Sequence, residues 1–276
     1  MKKRNILHAL IYTVLTLGAL LVFFPFYLTV VSSLKDMSDI FSNFFGLPRH
    51  IVFDNFAYVL QRPDYFIALK NSAIITGVAI VAMVFFLPMC AYAISRRRFT
   101  SRFYSFLYFF MVAGIFIPFQ VKMLPMVKLM SNIGLLNRTG AILFYIANST
   151  CEGIFLLVGY LASMPTDLEE AAYIDGAGFY RTFFVIVFPL AKSGLATGAI
   201  LQFLTSWNEF MFGLVLTKST EVRTLPLALN YFTSQFSFNY TAMFAALTMV
   251  ILPSIVIYVL LQEQVTTSMV AGSVKG

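Results

Sequence analysis

Six stretches of this chain, at about 6–31, 70–94, 103–119, 141–162, 191–216 and 241–262, are apolar over close to the roughly 20 residues that a helix needs to cross hydrocarbon. In hydrocarbon every backbone N–H and C=O must be satisfied within the chain, which leaves helices or closed barrels. Runs of this length suit helices, so the sequence specifies an all-α integral membrane protein with six transmembrane helices. Only 11% of its 276 residues are charged, against about 25% in soluble domains. The first run, Ile6 to Val31, exceeds a signal-peptide core and shows no convincing cleavage site, so it reads as a retained helix. The third run is the shortest and ends near Pro118. The amphipathic stretch Val121 to Met130, with Lys122 and Lys128, is expected at the far interface rather than as a continuation of that span.

Six spans place both termini on one side. Lys2-Lys3-Arg4 before the first span, and Arg96, Arg97, Arg98 and Arg102 after the second, put them in the cytoplasm, N-in and C-in. This distribution also accounts for the net charge of +7 as a bilayer signature and excludes nucleic acid as a partner. Residues 1–69 then comprise the first helix and an extracytoplasmic loop, and residues 70–276 a five-helix core. The loop at about 32–69 is mixed in charge and is either a small cap for an extracytoplasmic partner or a passive connector. Cys90 and Cys151 both fall inside spans, and His8 and His50 lie far apart, so no metal site is expected. No Gly-x-x-x-x-Gly-Lys-Ser/Thr loop occurs to cradle ATP phosphates, and no catalytic constellation is visible. The chain is therefore expected to be no enzyme, to bind no cofactor, and to receive its energy from another subunit.

Between spans four and five lies Met164-Pro165-Thr166-Asp167-Leu168-Glu169-Glu170-Ala171-Ala172-Tyr173-Ile174-Asp175-Gly176-Ala177. Thr166 and Glu169 stand at capping-box spacing, and Asp167, Glu169 and Glu170 crowd the first turn, where the helix dipole favours acids. Ala171 and Ala172 are strong helix formers, and Gly176 supplies the left-handed position that ends many helices. Phe179, Tyr180, Arg181, Phe183 and Phe184 form a second amphipathic piece before Pro189. Together they predict a cytoplasmic helix-turn-helix over about 163–190.

Two polar stripes interrupt the apolar spans. Tyr145, Asn148, Ser149 and Glu152 share a face of span four, and Gln202, Thr205, Ser206 and Glu209 share a face of span five, with Asn208 beside them. A carboxylate at mid-bilayer costs about 2.5–3.5 kcal/mol, so these stripes face protein or a watery path. They are either a translocation pathway suited to sugar hydroxyls or a set of interhelical and partner contacts. Glu209 is read as a partner or gate residue and Trp207 as packing.

Glu170-Ala171-Ala172, Asp175-Gly176-Ala177 and Pro189 resemble the EAA loop of ABC importer permeases. Asn71-Ser72, Ala91-Tyr92-Ala93, Pro118-Phe119-Gln120-Val121, Gly134-Leu135-Leu136-Asn137, Trp207-Asn208-Glu209-Phe210 and Thr224-Leu225-Pro226-Leu227 are similar to carbohydrate-uptake permeases of the maltose type. The ending Ala271-Gly272-Ser273-Val274-Lys275-Gly276 is similar to the tail of the shorter permease of a pair. Ser193 and Ser268 depart from the pattern, standing where many relatives have proline and glycine.

The resemblance implies a multi-pass permease subunit in the cytoplasmic membrane of a prokaryote, importing a sugar or oligosaccharide. Its implied partners are a second, non-identical permease, two ATP-binding subunits carrying ATP and Mg, and an extracytoplasmic solute-binding protein. By resemblance Glu169, Glu170, Ala171, Ala172, Asp175, Gly176 and Ala177 couple to the ATPase. Gly272, Lys275 and Gly276, in a cytoplasmic tail over 263–276, are expected to touch the same subunit. An ion-gradient transporter, or an ABC permease for a solute other than sugar, is the alternative.

Overall fold

The computed structural model describes residues 2–216, 220–235 and 239–273, and every regular element among them is helical. In chain order these are α1 (Lys2–Ser33), α2 (Met37–Ser42), α3 (Asp54–Leu60), α4 (Pro63–Phe85), α5 (Leu87–Arg97), α6 (Arg102–Ile115), α7 (Phe119–Asn132) and α8 (Arg138–Ala162). They continue as α9 (Asp167–Ile174), α10 (Phe179–Thr182), a π turn at Phe183–Val187, α11 (Phe188–Leu190), α12 (Lys192–Asn208) and α13 (Met211–Leu216). A 3₁₀ turn at Thr220–Val222, α14 (Leu225–Gln235) and α15 (Tyr240–Ser273) complete the order.

Among the described residues, four runs are long and apolar enough to cross a membrane: Ile6–Ser33, Pro63–Arg97, Arg138–Ala162 and Tyr240–Leu260. Two more are bent pairs, α6 with α7 at 104° and Phe179–Leu190 with α12 at 73°, giving up to six spans if each pair counts as one. The sharp bend after α6 agrees with the expectation that Val121 to Met130 does not extend the third span. The fifth apolar window, 191–216, is not one helix. It ends at Asn208, Glu209 is extended at φ −72° and ψ 124°, and α13 starts afresh.

The chain forms two compact units. One comprises Met1–Phe66 and Ala228–Pro253, the other Ile67–Leu227 and Ser254–Gly276. In the first, the segment after α1 folds tightly on itself. Lys35 is fully buried, and its ammonium donates to the carbonyls of Asn43 (2.5 Å) and Phe44 (3.0 Å). The buried Asp39 carboxylate accepts from the Arg49 amide at 2.9 Å and faces the Arg49 guanidinium at 3.6 Å. Asn55 donates to the carbonyls of Ser33 and Lys35. Residues 32–62 are thus folded on themselves by buried polar contacts.

In the second unit, Leu87, Ala91 and Ile94 of α5 pack against Ile154, Leu157 and Leu161 of α8. Small residues let helices approach closely where no water-driven collapse operates. A side chain on Gly194 of α12 would place its Cβ 2.7 Å from the Tyr160 ring. Ser193, one of the two departures noted above, bonds the Tyr160 hydroxyl at 2.5 Å. Gly134, at φ +70°, ends α7, and Asn137 then caps α8 by accepting from the Gly140 amide at 3.1 Å. Asn71 and Ser72 are tied to the stretch before α14: Asn71 donates to the Glu221 and Arg223 carbonyls, and the Ser72 hydroxyl accepts from the Leu225 amide.

Two measurements test these packing arguments. Gly194→Val should destabilise the α8–α12 contact by about 1–3 kcal/mol, read as a lower thermal midpoint of the purified protein. Gly159→Val, whose Cβ meets nothing within 4 Å, should stay near wild type. In the folded segment after α1, the Asp39 amide and the Ser38 hydroxyl hold the Asp36 carboxyl below its ordinary value. Its contribution to α2 is therefore complete above the unfolded value of about 3.9 and is lost as pH falls through the lower folded one. Amide-exchange protection at Asp39 should hold at pH 5 and fade only below about pH 4. Asp36→Ala should remove that protection across the range.

Candidate functional site

The acidic segment between α8 and α12 forms the helix-turn-helix that its sequence predicts, but its first turn is built differently. Thr166 has helical angles, φ −84° and ψ −12°, and makes no side-chain cap. Its hydroxyl donates to Glu170 Oε1 at 3.1 Å. Glu169 turns inward instead of back toward residue 166. The expected capping box is therefore absent, because a charge-assisted, nearly dry contact outcompetes a local bond to a water-exposed amide.

That inward contact is the centre of a dense polar cluster. Tyr92 donates to Glu169 Oε2 at 2.7 Å, and Arg96 Nε reaches Oε1 and Oε2 at 3.0 and 3.2 Å. Arg96 Nη2 completes the fork onto Oε1. Arg96 Nη1 donates to the Leu161 carbonyl at 3.0 Å, at the end of α8. Glu169 is 5% exposed and Tyr92 1%. The Tyr92 ring packs on Phe179 and Phe183 at centroid distances of 5.1 and 5.4 Å. One tyrosine on α5 thereby meets α9, α10 and the π turn.

The helix ends as predicted. Gly176 adopts φ +80°, its amide donates to Tyr173, and the Ala177 amide donates to Ala172. These are the paired bonds of a Schellman turn. The π turn then carries a Phe188 to Phe183 bond, five residues back. Pro189, which has no N–H to return to Val185, follows it. On the outer side of α9, Glu170, Ala171, Asp175 and Gly176 are exposed and Ala177 half-buried, with Ile174 86% and Leu168 53% exposed. Ala172 and Glu169, which the resemblance also assigns to the ATPase contact, face inward.

The polar stripes separate into three groups. Tyr145 donates to Glu209 Oε2 at 2.7 Å. The Glu209 carboxylate also accepts from the amides of Phe212 (2.7 Å) and Gly213 (3.2 Å), capping α13 and causing the break in the fifth window. Asn148 accepts from Lys122 at 2.5 Å, bringing α7 onto α8. Ser149, Glu152, Gln202 and Thr205 border a small cavity of about 30 Å³, room for about one water molecule. Glu152 is exposed, and Gln202 Nε2 donates to Ser206 at 2.5 Å while its Oε1 has no partner among the described residues. Asn208 is exposed and turns back to the Leu204 carbonyl. Trp207 is buried and stacks on Phe203, as a packing residue does. Of the tail residues, Gly272 lies in the last turns of α15, and Lys275 and Gly276 lie outside the described residues.

Sequence reasoning missed Tyr92 and Arg96 as partners of Glu169, and Lys122 as a partner of Asn148. Ala91-Tyr92-Ala93 stood out as a pattern, and Arg96 was already noted for its charge. Nothing local paired either with a loop more than 70 residues downstream.

Residues 89–269 match the family model of the binding-protein-dependent transport system inner membrane component. The chain belongs to that family. This permease is 36% identical over 268 residues to the multiple sugar-binding transport system permease protein MsmG of Streptococcus mutans serotype c, covering 96% of each chain. It is 33% identical over 251 residues to the probable starch degradation products transport system permease protein AmyC of Thermoanaerobacterium thermosulfurigenes, covering 91% of each. Its fold matches a chain of a bacterial ABC transporter involved in import of the acidic polysaccharide alginate. There the TM-score is 0.83 at 24% identity, over 95% of this chain and 98% of that one.

The break at Glu209 has a measurable strength. Hydrogen bonds to a charged acceptor contribute about 1.5–3 kcal/mol each. Glu209→Ala should therefore lower the thermal midpoint of the permease clearly more than Tyr145→Phe, which leaves both α13 amides satisfied. Equal midpoints for the two variants would show that the carboxylate does not hold the break.

Proposed function

We propose that this permease is the membrane-spanning subunit of an ATP-driven importer for a sugar or oligosaccharide, working with a second, non-identical permease. Two ATP-binding subunits, which would carry ATP and Mg, dock on the 165–180 helix-turn-helix from the cytoplasm, and a solute-binding protein delivers cargo from the opposite side. The family description supports the binding protein and the inner membrane, and the names of the relatives support sugar. Both termini are cytoplasmic in this reading, which follows the arginines and lysines flanking the first two spans.

The observation that carries the coupling role is the division of α9 into two faces. Its inner face is fixed through Glu169, and its outer face presents Ile174, Leu168 and Glu170 to the surroundings. A rigid, apolar-tipped helix with an acidic shoulder suits a groove on a partner subunit. Nucleotide-driven closure of the ATPases displaces this unit and opens the bundle outward; solute then enters and leaves inward after hydrolysis. A gradient-driven carrier has no use for such a helix.

Gly176→Val adds strain of roughly 1–2 kcal/mol at the left-handed turn, and Glu170→Lys reverses the charge of the outer face. Each should reduce copurification of the ATP-binding subunit and solute uptake while the permease still inserts. A cysteine at Ala171, which faces outward, should crosslink to the ATP-binding subunit. Normal copurification and uptake in both variants, with no crosslink in an active complex, would overturn the coupling role.

A further inference from the structure

We infer that Glu169 is a positioning residue, the carboxylate through which displacement of α9 is passed sideways into α5, with Tyr92 and Arg96 as the receiving groups. This rests on the coupling role proposed above and goes further by naming the route that the movement takes. The chain itself connects α9 to α8 on one side and to α10 on the other. Arg96 lies 73 residues before Glu169, so a push on α9 reaches α5 only through side chains.

The geometry at this contact resists displacement in several directions. A guanidinium fork on a carboxylate is directional and planar. Both Glu169 oxygens are engaged, Oε1 by Arg96 Nε and Nη2, and Oε2 by Tyr92 and Arg96 Nε. Apolar packing alone resists compression, whereas these bonds also resist pulling. The anchor is braced in turn: Arg96 Nη1 is held by the Leu161 carbonyl, and the Tyr92 ring packs on Phe179 and Phe183. The adjacent Glu170 points outward, since consecutive helical residues are about 100° apart. The two neighbouring acids thus divide the work, one facing the partner and one holding the permease's own helix. Stability alone does not call for an ion pair here, because a buried pair is often replaceable by apolar residues at no loss.

A native reporter sits on the receiving helix: Cys90 of α5 is exposed. In a Cys151→Ser background, the assembled transporter with its partner permease and ATP-binding subunits is labelled with N-ethylmaleimide, with and without ATP plus vanadate. The expected result is a change in the Cys90 labelling rate of about fivefold or more in the parent, within the range of ordinary coupling. Glu169→Gln should cut that change to under about twofold, with Tyr92→Phe in between. The ATP-binding subunit should copurify as in wild type, and its basal hydrolysis should continue. An unresponsive Cys90 in the parent, or a full response in Glu169→Gln, overturns the inference. So does loss of the ATP-binding subunit from Glu169→Gln, which would make Glu169 a docking residue. Glu169→Asp, which keeps the charge, should retain assembly and keep more of the response than Glu169→Gln; a response no larger than that of Glu169→Gln sinks the inference. The coupling role fails separately, by intact copurification in Glu170→Lys and Gly176→Val.

Discussion

A carboxylate and a guanidinium taken out of water lose solvation worth several kcal/mol per ion, and only tight geometry with further hydrogen bonds offsets that loss. The Glu169–Arg96 pair meets the condition: Tyr92 takes one carboxylate oxygen, and the Leu161 carbonyl takes a remaining guanidinium proton. Satisfying that arrangement fixes three backbones at once. The end of α5 must stand beside the end of α8, α9 must turn its second acid inward, and Tyr92 must present its ring to Phe179 and Phe183. The outer face of α9, with Ile174 and Glu170, follows from the inner face being committed.

The same economy governs the interruptions of the apolar helices. In a bilayer an unpaired backbone group costs several kcal/mol, so a helix is broken only where something else takes up the freed bonds. Glu209 does this at the start of α13 with its own carboxylate. Asn137 does it at the start of α8, and the Gly176 turn does it at the end of α9 by returning amides to the carbonyls of the last turn. At the π turn the wider bond from Phe188 to Phe183 takes up slack just before Pro189.

Much of this was legible in the residues, and what was not shares a cause. Apolar length located the long helices, and Gly176 announced its left-handed turn because few other residues tolerate it. The 191–216 window read as continuous because hydropathy does not register a carboxylate that caps a helix in mid-run. Thr166 and Glu169 satisfied the spacing of a capping box, yet the acid found a stronger partner on a helix that sequence distance placed out of view. The polar stripes were correctly periodic, but periodicity gives a face and not its neighbour. Tyr145 meeting Glu209, and Lys122 meeting Asn148, depend on which helices lie side by side.

The Glu169 contact also bears on how such permeases diverge and recombine. Half of the joint is encoded at Tyr92 and Arg96 and the other half at Glu169, 73 residues later than the arginine. A hybrid gene whose crossover falls between them inherits an anchor from one parent and an acid from the other. Exchanging the 165–180 segment alone is benign only when the recipient already carries a tyrosine and an arginine one helical turn apart at the end of its second span. Changes on the outer face of α9 leave this contact untouched, while the two distant halves of its inner face must be inherited as a pair.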